Sequence, residues 1–221
     1  MTAQEAAAGR ECRRRRVPFP LTKRVLDVGL AGAGLLLSAP LWVLFAVAIK
    51  LYDGGPVFFS QARIGEGGRT FTTLKFRSMV PDAEAGVGAI QATVDDPRVT
   101  PIGRLLRAAA MDELPQLWNI FRGDMSFVGP RALRPGETDA DRPGEVVPIE
   151  EVTGFDARCR MRPGLTGIAQ IYADRDLPRR SKFRYDRLYV RAQTLRVDVV
   201  LILLSFWITL RGTWEVRGRK F

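Results

Sequence analysis

The sequence predicts a mostly α-helical, membrane-associated chain with one small β-hairpin, and three observations carry that reading. Val28–Ile49 contains no charged residue. A shorter apolar run, Val199–Leu210, lies near the other end. Between them, two segments rich in β-branched and aromatic residues flank a glycine-rich connection. The 221 residues suit one domain, and 46% hydrophobic composition supplies a core and argues against global disorder. There is no histidine, which removes Ser-His-Asp and Cys-His nucleophile systems, imidazole acid/base chemistry and most zinc sites. The two cysteines, Cys12 and Cys159, form no CxxC pair, so a disulfide framework is not expected. Carboxylates, Lys, Arg and a hard oxygen-bound cation are left to carry any chemistry.

Residues 1–22 read as a mobile basic tail, with Arg13–Arg16 followed by Lys23 and Arg24 directly before the uncharged run. The net charge of +10 invites nucleic acid or an anionic membrane surface. Basic residues abutting an apolar run favour the membrane, with anionic lipids as partners and no nucleic acid. The run is long for a signal peptide and lacks a well-placed cleavage motif. As a helix it would reach about 33 Å, enough to cross a hydrocarbon core of about 30 Å. Both flanks are basic, so the positive-inside rule gives no orientation. A re-entrant helix would put both flanks on one side: Pro40 favours a kink, and the Ser38 hydroxyl could satisfy a carbonyl freed by it. Composition leaves spanning and re-entrant geometries open over 23–52.

Asp53-Gly54-Gly55-Pro56 marks a turn and starts the segment 53–221. Val57–Phe59 and Thr70–Phe76, around Gly65, Gly67 and Gly68, predict a hairpin. Residues 81–98 suggest a short helix and loop. Thr100-Pro101 starts a helix with Thr as N-cap. Asp112 predicts the N-cap of a second helix, with Pro115 in its first turn, an apolar stripe of Leu114, Leu117, Trp118 and Phe121, and Gly123 just past its end. Residues 133–150, rich in Pro, Gly and acids, predict a loop. Val199–Leu210 is too short to span and suits a core or interfacial helix flanked by Arg191, Arg196 and Arg211.

Asp112-Glu113 is the candidate chemistry. A helix N-terminus favours the ionised carboxylate that a nucleophile or metal ligand needs, and attracts phosphate as well. Arg107, Lys75, Arg77 and Arg131 are candidate anion contacts. On these residues alone, a capping Asp and a solvated first-turn Glu explain the pair more simply.

Several segments occur together in one order: KRVLDVGL at 23–30, SAPL at 38–41, KFRSM at 75–79, MDELPQLWNIFRGDMSFVGPR at 111–131 and RPGLTGIAQ at 162–170. In this the sequence resembles the bacterial sugar transferases, small monotopic polyprenyl-phosphate phosphosugar transferases that start glycoconjugate assembly. The resemblance runs from about Lys23 to Val216. It implies a monotopic protein at the cytoplasmic face of the bacterial inner membrane, with a re-entrant N-terminal helix broken at Ser38 and Pro40 and with amphipathic interfacial helices. It also implies transfer of a sugar-1-phosphate from a UDP-sugar to undecaprenyl phosphate, releasing UMP through a phosphosugar-aspartate intermediate. Carried over, Asp112 is the nucleophile and Mg²⁺ contact, Glu113 the assisting carboxylate, Arg107 and Lys75 phosphate contacts, and Arg131 the nucleotide contact. Two departures stand out: Ala39 separates Ser38 from Pro40, and Ala132 follows Arg131 where the family usually has proline. The multi-span domain of larger relatives is absent, so a catalytic core is expected, with a homodimer left open. A non-catalytic membrane scaffold is the rival reading; it would not need Asp112, Glu113 and Arg107 together.

Overall fold

The computed structural model describes residues 17–83, 96–142, 145–174 and 177–211. Arg13–Arg16, most of the expected tail and most of 81–98 lie outside them. Val17 donates its N–H to Arg160 O at 2.9 Å, and the Arg162 guanidinium sits 4.2 Å from the Phe19 ring centroid. Helix α1 (Leu21–Asp53) then runs on through Pro40 as one helix. It stops at Gly54, whose φ of 70° suits glycine and whose N–H caps Lys50 O. Among the described residues it is the one helix long and apolar enough to cross a membrane.

Strands β1 (Phe58–Ile64) and β2 (Thr70–Phe76) form the expected antiparallel hairpin, Phe58 opposite Phe76 and Ile64 opposite Thr70. Helix α2 (Pro101–Ala108) starts where expected, the Thr100 hydroxyl accepting from Gly103 N at 2.9 Å. A Cβ on Gly103 would lie 1.9 Å from Ser78 O, so α2 packs backbone to backbone on the chain leaving β2. Helix α3 (Gln116–Arg122) ends at Gly123, φ 101°. Strand β3 (Ser126–Val128) pairs in parallel with β6 (Gly164–Thr166), and β4 (Thr138–Arg142) pairs antiparallel with β5 (Glu145–Pro148). Among the described residues four more α-helices follow: α4 (Phe155–Arg158), α5 (Ile168–Tyr172), α6 (Arg179–Ala192) and α7 (Leu195–Arg211).

The β4–β5 pair replaces part of the loop expected at 133–150. Val146 and Val147 supply the strand-forming residues, and fully buried Ile149 packs with Leu133, drawing the segment onto the core. The stripe on α3 also differs. Leu117 and Ile120 point inward with Leu114 beside them, while Trp118 and Phe121 stay partly exposed and stack on each other with centroids 6.0 Å apart.

Both halves of α1 pack on the same globular body. Ala31 joins Leu117, Ile120 and Met125, whereas Phe45 and Ile49 join Phe76 and Leu106. The rest of its surface is apolar and bare: Leu36, Leu37 and Leu51 are about four-fifths exposed. Helix α7 repeats the pattern, with Leu201 and Ile208 buried and Val200, Leu203, Phe206 and Leu210 exposed. Contiguous apolar surface on this scale marks a contact face and is compatible with a membrane-associated protein. Ser38 accepts a hydrogen bond from Trp42 Nε1 at 3.1 Å, so the hydroxyl expected to serve a freed carbonyl is engaged by an indole.

Lys23 and Arg24, read as a headgroup-facing flank, instead turn into the protein. The Lys23 ammonium is buried and donates to Asp198 Oδ2 (2.9 Å), Tyr189 Oη (3.1 Å) and Val128 O (3.1 Å). Arg24 donates to the carbonyls of Ile120 and Phe121 at the end of α3, where cations suit the helix dipole. Asp27, one turn on, accepts from Ser126 Oγ (3.1 Å) and Phe127 N (3.0 Å). Removing one partner of a buried ion pair strands the other, at about 3–5 kcal/mol. Lys23→Met and Asp198→Leu should each lower the unfolding midpoint in detergent strongly, and the double variant less than the sum of the two. Additive losses in a thermal melt would count against a coupled pair.

Candidate active site

Strand β2, the end of α2 and the start of α3 meet at Asp112-Glu113. Ala110 adopts a left-handed conformation, φ 51°, which ends α2 and turns the chain into a 3₁₀ turn at Met111–Glu113. Asp112 therefore lies inside that turn and does not cap α3, whose preceding residue is Pro115. A lone αL residue other than glycine costs about 1–2 kcal/mol, and strain of this kind gathers where a side chain must be aimed.

The two carboxylates sit in opposed environments. Asp112 is only 8% exposed, and burial raises its pKa; the charge of Glu113 adds to the rise, against the pull of Lys75 and Arg107. That reverses the direction expected of a helix N-cap. Burial would raise Glu113 too, but the Lys75 ammonium, Arg131 and hydrogen bonds from Lys75 and Gln116 outweigh it and hold Glu113 at about 2. Lys75 is ion-paired to Glu113 Oε1, and Arg131 Nη2 stands 3.9 Å from the same oxygen. Neighbouring carboxyls with pKa values driven apart are suited to different roles.

The cations around them are held from behind. Arg107 is near enough to act electrostatically on both Asp112 and Asp96. Asp96 is itself tied to Arg98, which donates from its backbone N (3.0 Å), Nε (2.9 Å) and Nη2 (2.6 Å) and keeps its carboxyl well below the usual range. The Arg131 carbonyl accepts from Arg158, whose guanidinium pairs with buried Asp186 (3.1 Å) and lies 4.5 Å over the Phe183 ring. Arg63 on β1 donates to Ala132 O at 3.1 Å, and burial with the nearby charges of Arg131 and Arg134 lowers it to about 10. Arg179 lies 3.7 Å from Glu137 and 3.4 Å from Asp139. Cations outnumber carboxylates in this region, so it attracts anions such as phosphates.

The structure thus brings together Lys75, Arg107, Asp112, Glu113 and Arg131. Arg77 is drawn away: it lies past the end of β2, paired with Asp53 at the end of α1. Ser38 and Pro40 belong to α1, linked to the site through rings: Trp42 contacts Phe58 (5.8 Å) and Phe76 (5.5 Å), and Phe76 follows Lys75. Two contributors went unread in the sequence. Gln116 hydrogen-bonds Glu113, and buried Asn119 bridges α3 to β2. Their signal is spacing, since Glu113, Gln116 and Asn119 recur every three residues along one helical side.

Among the described residues no cluster of three or more Asp, Glu or Cys could cage a metal ion. One carboxylate shared with substrate oxygens is the arrangement Mg²⁺ accepts. With Glu113 engaged by Lys75 and Arg131, Asp112 is the side chain that fits that part.

Residues 19–212 match the family model described as bacterial sugar transferase, and the chain belongs to that family. Among its relatives is the undecaprenyl-phosphate glucose phosphotransferase of Komagataeibacter xylinus, 43% identical over 192 residues; the match covers 84% of this chain but 35% of that one. The exopolysaccharide production protein ExoY of Rhizobium meliloti is 37% identical over 196 residues, 82% of each chain. A Bacillus subtilis relative, named as a putative undecaprenyl-phosphate N-acetylgalactosaminyl 1-phosphate transferase, is 43% identical over 154 residues, 67% of this chain and 82% of its own.

The strain at Ala110 is directly testable. Glycine is at ease at φ 51°, so Ala110→Gly should raise stability by about 1 kcal/mol, while β-branched Ala110→Val should lower it. Thermal melts of the two variants beside wild type decide it, and equal midpoints would mean that the turn relaxes freely.

Proposed function

We propose that this protein transfers a sugar-1-phosphate from a UDP-sugar to undecaprenyl phosphate, releasing UMP, as the first membrane step of exopolysaccharide or related glycoconjugate assembly. The observation that carries this reading is the buried Asp112 beside an ion-paired Glu113, ringed by Lys75, Arg107 and Arg131, in a chain of the sugar transferase family. Asp112 attacks the phosphorus bonded to the sugar. The bond from that phosphorus to the bridging oxygen breaks, and UMP leaves with the electron pair. An oxygen of undecaprenyl phosphate then attacks the phosphoryl-aspartate and restores Asp112.

The residues suit these roles because phosphoryl transfer asks for charge neutralisation and alignment more than for proton shuttling. Lys75 and Arg107 draw Asp112 toward the ionised form that attacks. Glu113, ionised and pinned, holds Lys75 and Arg131 where phosphate oxygens arrive. Mg²⁺, held by Asp112 and phosphate oxygens, would supply further neutralisation of the diphosphate. The relatives' names include both glucose and N-acetylgalactosamine, so both donors belong in the test.

The topology proposed with this function is re-entrant, at the cytoplasmic face of the inner membrane. Its support is that the first turns of α1 and the Phe45–Ile49 turn are both fastened to the same body, which carries the charged site. A helix crossing to the far side would drag that body into the hydrocarbon. Bare apolar faces of α1 and α7 then meet lipid, and a soluble donor and a membrane-held phosphate meet at the headgroup plane.

UMP release by detergent-purified protein with undecaprenyl phosphate, Mg²⁺ and a panel of UDP-sugars tests the reading. Wild type should release UMP in a lipid-dependent way with one donor, and Asp112→Asn should lose on the order of 10³-fold or more in kcat. Activity retained in Asp112→Asn would sink the covalent route. A folded wild type silent with every donor would favour a non-catalytic scaffold.

A further inference from the structure

We infer that Asn119 is a positioning residue that sets Lys75 against the Asp112-Glu113 pair, an assignment that rests on the phosphosugar-transfer reading of that site. Among the described residues strand β2 has one strand neighbour, β1, so its other edge carries backbone groups in need of partners. Asn119 supplies them. Its Oδ1 accepts from Leu74 N at 3.1 Å, and its Nδ2 donates to Thr72 O at 2.7 Å. Donor and acceptor of one side-chain amide thus meet residues two apart on the strand edge, as the peptide of an added strand would. Its Nδ2 also lies 3.3 Å from Asp124 Oδ2. The side chain is 1% exposed, and leaving the edge groups unpaired in such a place is costly.

What this bridge joins gives it functional meaning. Leu74 directly precedes Lys75, whose ammonium pairs with Glu113 and acts on Asp112. On the α3 side, Gln116 hydrogen-bonds Glu113. One short helix therefore holds Glu113 through Gln116 and the strand that carries Lys75 through Asn119, so side chains of that helix set the spacing between them. The hairpin partner contributes less direction at this point: Thr73 Oγ1 donates to Gln61 O on the side of β1. Asn119 touches neither carboxylate, so it acts through Lys75.

A double-mutant cycle separates positioning from general stability. Asn119→Ala should cost about 10²-fold in kcat, with the donor KM little changed, as expected of a misplacement near 1 Å. In a Lys75→Met background the same substitution should cost almost nothing more, because the group it positions is gone. Asn119→Asp, which keeps the acceptor for Leu74 N and loses the donor to Thr72 O, should move kcat in the same direction and covers the case in which Asn119→Ala does not fold. A readout independent of turnover is acylation of Lys75 by an amine-reactive ester, followed by peptide mass spectrometry. Its rate should rise severalfold in Asn119→Ala and Asn119→Asp, with buried Lys23 unchanged as the fold control. A full Asn119→Ala penalty persisting on top of Lys75→Met, or Lys75 labelling unchanged in a folded variant, would overturn the assignment. Wild type inactive with every donor while Lys75 labelling responds would instead remove the transfer reading and leave the bridge standing.

Discussion

The buried ammonium of Lys23 is the constraint from which the rest of the arrangement follows. It sits in the first turn of α1 and has three partners, on β3, α6 and α7, so one side chain ties the most apolar helix to three elements of the body. A lone charge there would be prohibitive; with Asp198, Tyr189 and the Val128 carbonyl around it, it is compensated and directional. Asp27 extends the same fastening to Ser126 and Phe127. Strand β3 is thereby fixed at both its ends, and the chain leaving it reaches Arg131 three residues later. The apolar helix and the charged site are in this way fastened through the same strand.

Around Asp112 the same logic works at shorter range. Several charged groups there are paired: Glu113 answers Lys75 and Arg131, Asp96 answers Arg98, and Asp186 answers Arg158. Asp112 is the member kept least compensated, since burial outweighs the cations near it. A carboxylate in that condition gains most when a phosphate and its counter-cation arrive.

Much of this was legible in the residues, and the exceptions have physical causes. The hairpin, the Thr100 cap and the Gly123 stop rest on local chemistry, which sequence reports directly. The family motifs pointed to Asp112, Glu113, Lys75, Arg107 and Arg131, and the chain does gather them. Long-range pairing was invisible. Lys23 looked like a headgroup contact because Asp198 lies far along the chain, and Arg77 looked like a site residue because its partner Asp53 belongs to the preceding helix. The N-cap expected at Asp112 gave way to the left-handed Ala110, which alanine's ordinary preferences do not announce. The β4–β5 pair was hidden by glycines and prolines that punctuate a hairpin as readily as a loop.

The separation of Lys23 from Asp198 along the chain has a consequence for biosynthesis. Helix α1 leaves the ribosome with its ammonium uncompensated, and the carboxylate that neutralises it follows 175 residues later. Until then the apolar helix must rest at a depth where Lys23 still reaches water or lipid phosphates. Closure of α7 over that ammonium therefore follows synthesis of everything between them, and it couples the final seating of α1 to the arrival of α7. A nascent chain stopped before Asp198 holds the whole charged cluster around Asp112 in sequence, yet lacks the counter-charge of Lys23.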